Sequence, residues 1–243
     1  MIRKIVHVIA SELPAQLLEV GPGGGALTQY LMRLPGVAFK AVELDQEKVD
    51  YLEQTYPELS GKLIHQSILE AHLPFSGSFM VVGNFPYNIS SQILFKILEW
   101  RQHITGVVGM FQKEVAQRVA APAGTKSYGI LSVLVQAYFQ VEYLFEVHEN
   151  CFTPPPKVKS AIIRLTPAKE IPAMRSEADF LRLVKTAFNQ RRKMLRNSVK
   201  DLYSSTTLQE DVFTRRPEQL TVAELAALTF KMQPSGANKD AFV

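Results

Sequence analysis

Gln16-Leu17-Leu18-Glu19-Val20-Gly21-Pro22-Gly23-Gly24-Gly25-Ala26-Leu27-Thr28 is the stretch that decides the fold. A short apolar run reads as a strand, the glycines as a tight turn, and Ala26 onward as a new helix running through Tyr30, Leu31 and Leu34. Glycine takes positive φ without steric cost and lets a ligand approach the backbone closely. Strand, glycine turn and helix together make a unit of nucleotide-binding type. Dinucleotide enzymes, methyltransferases and others share it, so the loop points to a kind of site and leaves the ligand open.

Working outward, residues 1–13 place Ile2, Ile5, Val6 and Ile9 at helical spacing, and Pro14 closes that helix. Downstream, Ala38–Val42 is a second strand, ending in Glu43-Leu44-Asp45. Glu43 lies 20 residues after Gly23, where a carboxylate at a strand tip can accept hydrogen bonds from both hydroxyls of a ribose. A helix over 46–56, a third strand over 62–65 and the exit loop Gln66-Ser67-Ile68-Leu69 follow. The fourth strand, Phe79–Gly83, ends in Asn84-Phe85-Pro86-Tyr87. Next come an amphipathic helix over 90–100, a fifth strand over 104–111 and a helix beginning at Gln112. Such alternation predicts an α/β fold, a Rossmann-like doubly wound sheet. Residues 121–129 read as an exposed loop, and a helix then leads to strands over 138–147 and 160–165. Between those strands, Phe152-Thr153-Pro154-Pro155-Pro156-Lys157 reads as a rigid extended loop.

After Pro167 strand signals stop. The expected division is therefore a catalytic domain over 1–166 and a small all-helical domain over 167–243. Phe180, Leu183, Val184, Ala187 and Phe188 form one helical face, and Asp201–Pro217 reads as a turn with a short helix. Thr221 and Glu224 form a capping box for a last helix ending near Phe230, and the tail after Gln233 is expected to fray.

Composition sets bounds. With 47% hydrophobic and 21% charged residues the chain can fill a core, which excludes global disorder. No apolar run is long enough to cross a bilayer, and the N-terminus lacks a signal-peptide core. Cys151 stands alone, and His7, His65, His72, His103 and His148 have no partner at metal-ligand spacing. The expectation is a cytoplasmic monomer with no metal. Net charge is +4, but residues 175–200 carry eight basic residues against two acids; that block holds +6, and the rest of the chain −2. A basic block on a near-neutral body suggests a polyanion partner.

Asn84-Phe85-Pro86-Tyr87 selects among the chemistries. The competing reading is an ordinary strand-to-helix turn, since Asn and Pro are common turn residues. The functional reading is methylation of an amino group on a base. An exocyclic amine on a purine is a poor nucleophile because its lone pair is delocalised into the ring. The Asn84 side-chain oxygen and the backbone carbonyl after it can accept both N–H bonds, which localises that lone pair. Pro86 fixes the carbonyl's direction, and Tyr87 offers a face for stacking an extruded base. Glu43 suits free ribose hydroxyls, so S-adenosyl-L-methionine is the expected cofactor.

Four stretches then carry a resemblance: Leu18–Thr28, Asn84–Ser90, Phe152–Val158 and Phe188-Asn189-Gln190-Arg191-Arg192-Lys193-Met194-Leu195-Arg196-Asn197. In that order they resemble the rRNA adenine N6,N6-dimethyltransferases, and most closely the branch acting on small-subunit (16S) rRNA. The resemblance runs from about residue 5 to about residue 230. It implies dimethylation of two adjacent adenosines near the 3′ end of 16S rRNA in the immature small ribosomal subunit. It implies cofactor contacts from Gly21, Gly23, Glu43, Leu44, Ser67, Ile68 and Asn84. It places Asn84, Phe85, Pro86, Tyr87 and Phe152 in the catalytic site, with Tyr87 and Phe152 sandwiching the adenine. Arg191, Arg192, Lys193 and Arg196 are implied as rRNA contacts. Two departures stand out. Gln66-Ser67 replaces the family's Gly-Asp, so Ser67 would meet the cofactor's adenine amine without a charge. The family also has a basic N-terminal segment with Gln-His/Asn-Phe-Leu, expected to close over the cofactor, which this sequence lacks. Two alternatives remain open at this level: another adenine methylase, with a large-subunit rRNA or DNA target, or an assembly factor of weak or no catalytic activity. The single domain after Pro167 speaks against a DNA enzyme, which usually carries a separate target-recognition domain.

Overall fold

The apolar runs on either side of the glycine loop form the strands of one sheet in a computed structural model, which describes residues 1–12, 14–152 and 158–234. The strands are β1 (Gln16–Val20), β2 (Ala38–Glu43), β3 (Leu63–His65), β4 (Phe79–Asn84), β5 (Ile104–Gln112), β6 (Phe139–Val147) and β7 (Ser160–Pro167). Their order is β3-β2-β1-β4-β5-β7-β6. β1 lies at the switch between the two halves of the winding, pairing in parallel with β2 on one side and β4 on the other. β5 continues the parallel set, and β7 joins it antiparallel. This is the Rossmann-like sheet expected of a methyltransferase.

The chain divides into two compact units, Met1–Ala116 with Gln140–Pro167, and Gln117–Phe139 with Ala168 onward. The expected division at 166/167 put residues 117–139 with the sheet. They belong instead to the second unit, because helix α6 (Ile130–Gln136) buries Leu131, Val133, Leu134 and Val135 there and packs on helix α7 (Glu177–Asn189).

In the first unit, alternate strand residues Leu17, Ala41, Met80, Val82, Val108 and Met110 make one buried face. Ile5 and Ile9 of helix α1 (Ile2–Ser11) belong to the same cluster. Helix α2 is only Thr28–Leu31, shorter than the run through Leu34 suggests. Pro35 restricts the residue before it, and Gly36 turns with φ +73°, so the helix cannot extend. Helix α3 (Gln46–Thr55) is capped by Asp45, whose carboxylate accepts from the Glu47 and Lys48 N–H groups. Helix α4 (Ser90–Glu99) buries Ile93, Leu94, Ile97 and Leu98, the face its periodicity predicts.

In the second unit α7 is the central helix, contacting α6, helix α8 (Leu195–Ser198) and helix α9 (Val222–Leu228). Ser176 caps α7 by accepting from the Asp179 N–H at 3.1 Å. The expected box at α9 forms: Thr221 Oγ1 accepts from Glu224 N–H at 3.2 Å, and Glu224 Oε2 accepts from Thr221 N–H at 2.7 Å. Residues 200–219 contain short 3₁₀ turns and no α-helix. There the Ser204 hydroxyl accepts from Thr207 N–H at 3.1 Å, a local bond that competes with helix. Helix α5 (Lys113–Ala120) carries the chain from the first unit into the second. Among the described residues no helix is long and apolar enough to cross a membrane. The proline-rich run 153–157 and the tail from 235 lie outside the described residues.

Candidate functional site

The C-terminal ends of β1, β2 and β4 meet beside the glycine loop. Glu19 is in register with Ala41 on β2 and with Val82 on β4. Residues in register share a face, and residues two further along a strand return to it. Glu19, Glu43 and Asn84 therefore point to one side of the sheet, with Glu43 and Asn84 one step above Glu19 on either flank.

Gly21 and Gly23 have φ of +67° and +56°, which an L side chain rarely adopts. The Gly21 N–H donates to the Val42 carbonyl at 3.0 Å, tying the loop to β2. A Cβ on Gly21 would lie 3.7 Å from Pro86 Cδ, so the loop and the Asn84–Pro86 segment are neighbours. A Cβ on Gly23 or Gly24 would meet nothing within 4 Å, so open space faces the backbone there. Glu43 is held by three N–H donors: Gly23 to Oε2 at 3.1 Å, and Leu44 and Asp45 to Oε1 at 2.9 and 3.1 Å. A carboxylate has about four acceptor positions, so this fixed group keeps capacity for a ligand hydroxyl. Leu44 beside it is 64% exposed, an apolar surface with no cover. His65 Nε2 meets the Leu44 carbonyl at 3.1 Å and steadies that turn. Ser67 is half-buried and its hydroxyl accepts from Leu69 N–H at 3.3 Å, while Ile68 is buried next to it.

Asn84 is exposed at the tip of β4 and Pro86 is exposed beyond it. The side chain of Phe85, expected in the catalytic site, turns away from the strand tip. Its ring is fully buried, edge-on to Phe111 with centroids 5.0 Å apart. The slot it fills exists because Gly83 and Gly109, in register on β4 and β5, have no side chains. A Cβ on Gly83 would come within 2.9 Å of the Phe85 ring, and one on Gly109 closer still. Phe85 is thus an anchor beneath Asn84 and Pro86, and its N–H donates to the Met110 carbonyl at 3.2 Å. The Pro86 carbonyl is engaged by Ile89 N–H at 3.2 Å, so the Phe85 carbonyl is the backbone acceptor next to Asn84. Tyr87 is half-buried and its phenol is hydrogen-bonded to the Ser160 hydroxyl at the start of β7. Phe152 is half-buried and packs against the core of the first unit.

Two residues of this region escaped the reading of the sequence. Ser160, fully buried, fixes the Tyr87 ring through a pairing 73 residues apart, for which no local signal exists. Glu19 had a signal, a carboxyl group inside an apolar run. It is 1% exposed, and its Oε2 has no hydrogen-bond partner among the described residues. Burial pushes its pKa up to about 8; the buried Thr28 hydroxyl pulls the other way, and the Glu43 charge adds to the rise.

The basic block lies in the second unit. Arg191, Arg192 and Lys193 do not lie on a helix, because α7 ends at Asn189 and they occupy the following turn. Arg192 and Lys193 are exposed, whereas Arg191 turns inward to the carbonyls of Thr125 and Lys126. Arg196 lies within 3.4 Å of the Met194 sulfur.

Open glycine backbone, a fixed carboxylate and an exposed leucine fit a nucleoside-bearing ligand. The description "Ribosomal RNA adenine dimethylase" matches residues 1–230. The chain belongs to that family. It is 49% identical over 225 residues to the ribosomal RNA small subunit methyltransferase A of Flavobacterium johnsoniae, covering 91% of this chain and 86% of that protein. It is 51% identical over 229 residues to the protein of the same name from Bacteroides thetaiotaomicron, covering 91% and 84%. Among solved structures it is similar to a dimethyladenosine transferase from Plasmodium falciparum, with TM-score 0.76 and 22% identity over 92% of each chain. It is also similar to the 23S rRNA methyltransferase ErmE, with TM-score 0.66 and 25% identity over 93% and 97% of the two chains. The family places S-adenosyl-L-methionine as the cofactor, and the residues gathered at the strand tips fit it.

Proposed function

We propose that this enzyme dimethylates N6 of two adjacent adenosines near the 3′ end of small-subunit rRNA, in the immature subunit, as a cytoplasmic monomer. The observation that carries the reading is the shared face at the strand tips. Glu43, held by three N–H groups, and Asn84, anchored by the Phe85 ring, flank one glycine loop. The small-subunit relatives are about half identical to the chain and the 23S enzyme a quarter, which supports the 16S target over a large-subunit one.

In this reading Gly21 and Gly23 line the methionine and ribose portions of the cofactor, and Glu43 accepts from the ribose hydroxyls. Leu44 packs on the adenine, with Ser67 and Ile68 at its edge. When bound, the cofactor would supply an electrophilic methyl group, its bond to the sulfonium sulfur breaking as the bond to N6 forms, with a neutral thioether left behind and the amine proton released to solvent. The protein's part is positioning and electrostatics. Asn84 Oδ1 and the Phe85 carbonyl accept the two N6–H bonds and localise the lone pair. Tyr87, its phenol held by Ser160, presents a fixed ring to the extruded base, and Phe152 closes the other side. Arg192, Lys193 and Arg196 meet rRNA phosphates.

Transfer of labelled methyl groups to immature small subunits tests this. Asn84→Ala is expected to lower the rate by about 10²–10³-fold, the scale of removing one oriented electrostatic partner, with the unfolding midpoint unchanged. Full activity in that variant rejects the amine-binding role, and no transfer by the unaltered protein rejects the enzyme reading.

A further inference from the structure

The Arg-Arg-Lys turn does not present three equivalent cations. The Arg191 guanidinium donates to the Lys126 carbonyl and, at 3.5 Å, to the Thr125 carbonyl. Its Nε lies 3.9 Å from Glu218 Oε2, a buried atom without a hydrogen-bond partner among the described residues. The Gly124 N–H donates to the Glu218 carbonyl at 2.6 Å, so one residue engages both Arg191 and the loop. The loop is also anchored at its far end, where Tyr128 is buried edge-on to Phe188, with centroids 6.0 Å apart. Between these anchors Thr125, Lys126 and Ser127 stand exposed. Lys126, Arg192 and Lys193 have no ion-pair partner among the described residues, so their charge is free to act outward.

We infer that Lys126 is a phosphate contact on the same RNA-binding surface as Arg192 and Lys193, and that Arg191 is a positioning residue that holds the 121–129 loop there. Arg191 is turned toward the loop, its Nη2 on two carbonyls and its Nε facing a buried carboxylate, whereas its backbone partner Lys126 is delivered beside the next two cations. This rests on the proposed rRNA substrate and divides the labour within the site.

Binding of the protein to immature small subunits, measured across a series of KCl concentrations, tests it. The log–log slope falls by about one for each phosphate contact removed. Lys126→Gln, Arg192→Gln and Lys193→Gln are each expected to lower the slope by about one. Arg191→Gln is expected to raise amide hydrogen exchange over 124–128, and adding Lys126→Gln to it should cost no further slope. If Lys126→Gln leaves the slope unchanged while Arg192→Gln lowers it, the inference fails and the rRNA reading stands. If Arg191→Gln lowers the slope with loop exchange unchanged, Arg191 is itself a contact and the positioning role is overturned. If the unaltered protein shows no salt-dependent binding, both readings fail.

Discussion

Glu19 places a carboxyl group where water cannot reach it, at the end of β1 just before the glycine loop. Its carboxyl keeps its proton up to about pH 8 in the fold, against 4.5 as the ordinary value. Between those values the unfolded chain has released the proton and the folded chain has not. Stability contributed by this residue is therefore fully present below about pH 4.5, falls as pH rises, and levels off above about 8, at up to ~1.4 kcal/mol per pH unit. Glu19→Gln removes the titration. Urea unfolding of the cofactor-free protein should show the variant gaining on the parent from pH 5 to 7.5, and parallel stability curves would contradict this. The carboxyl group was legible in the sequence as an oddity inside Leu17-Leu18-Glu19-Val20. Its protonation state was not, because that depends on burial by elements elsewhere in the chain. Arg191 shows the same limit: next to Arg192 it reads as an equal, and only the loop 65 residues earlier reveals that it is engaged.

At the scale of elements, Asn84-Phe85-Pro86-Tyr87 is held in place because one of its two aromatic rings is an anchor. The strand-to-helix turn was readable from local pattern. Which ring turns inward was not, since the slot for Phe85 is made by Gly109 on the neighbouring strand as well as by Gly83. Gly109→Ala should overpack that slot and destabilise the protein by about 1–3 kcal/mol in urea unfolding. Gly83→Ala should cost more, because its Cβ would also meet the Val20 carbonyl oxygen, a backbone atom that cannot swing aside. Negligible costs would mean that Phe85 is not packed as described, and equal costs that the Val20 carbonyl adds nothing. The strands, α1, α3, α4 and the α9 capping box followed from apolar periodicity and cap residues. Helix α2 fell short because Pro35-Gly36 outweighs the apolar residues before it.

Across the whole molecule, the sheet unit carries Glu43 and Asn84 at its strand tips, and the helical unit carries the exposed Lys126, Arg192 and Lys193. The second unit's claim on 117–139 was hidden from the sequence, because a helix between two strands continues the α/β alternation whichever unit it packs in. Its apolar residues Leu131, Val133, Leu134 and Val135 belong with α7, a choice made by tertiary packing. The direct measurement is to incubate the protein with S-adenosyl-L-methionine and immature small subunits, then read the rRNA by mass spectrometry nucleotide by nucleotide. The expected product is N6,N6-dimethyladenosine at two adjacent positions near the 3′ end of the small-subunit rRNA. Methylation confined to large-subunit rRNA, or no methylated adenosine at all, would contradict it.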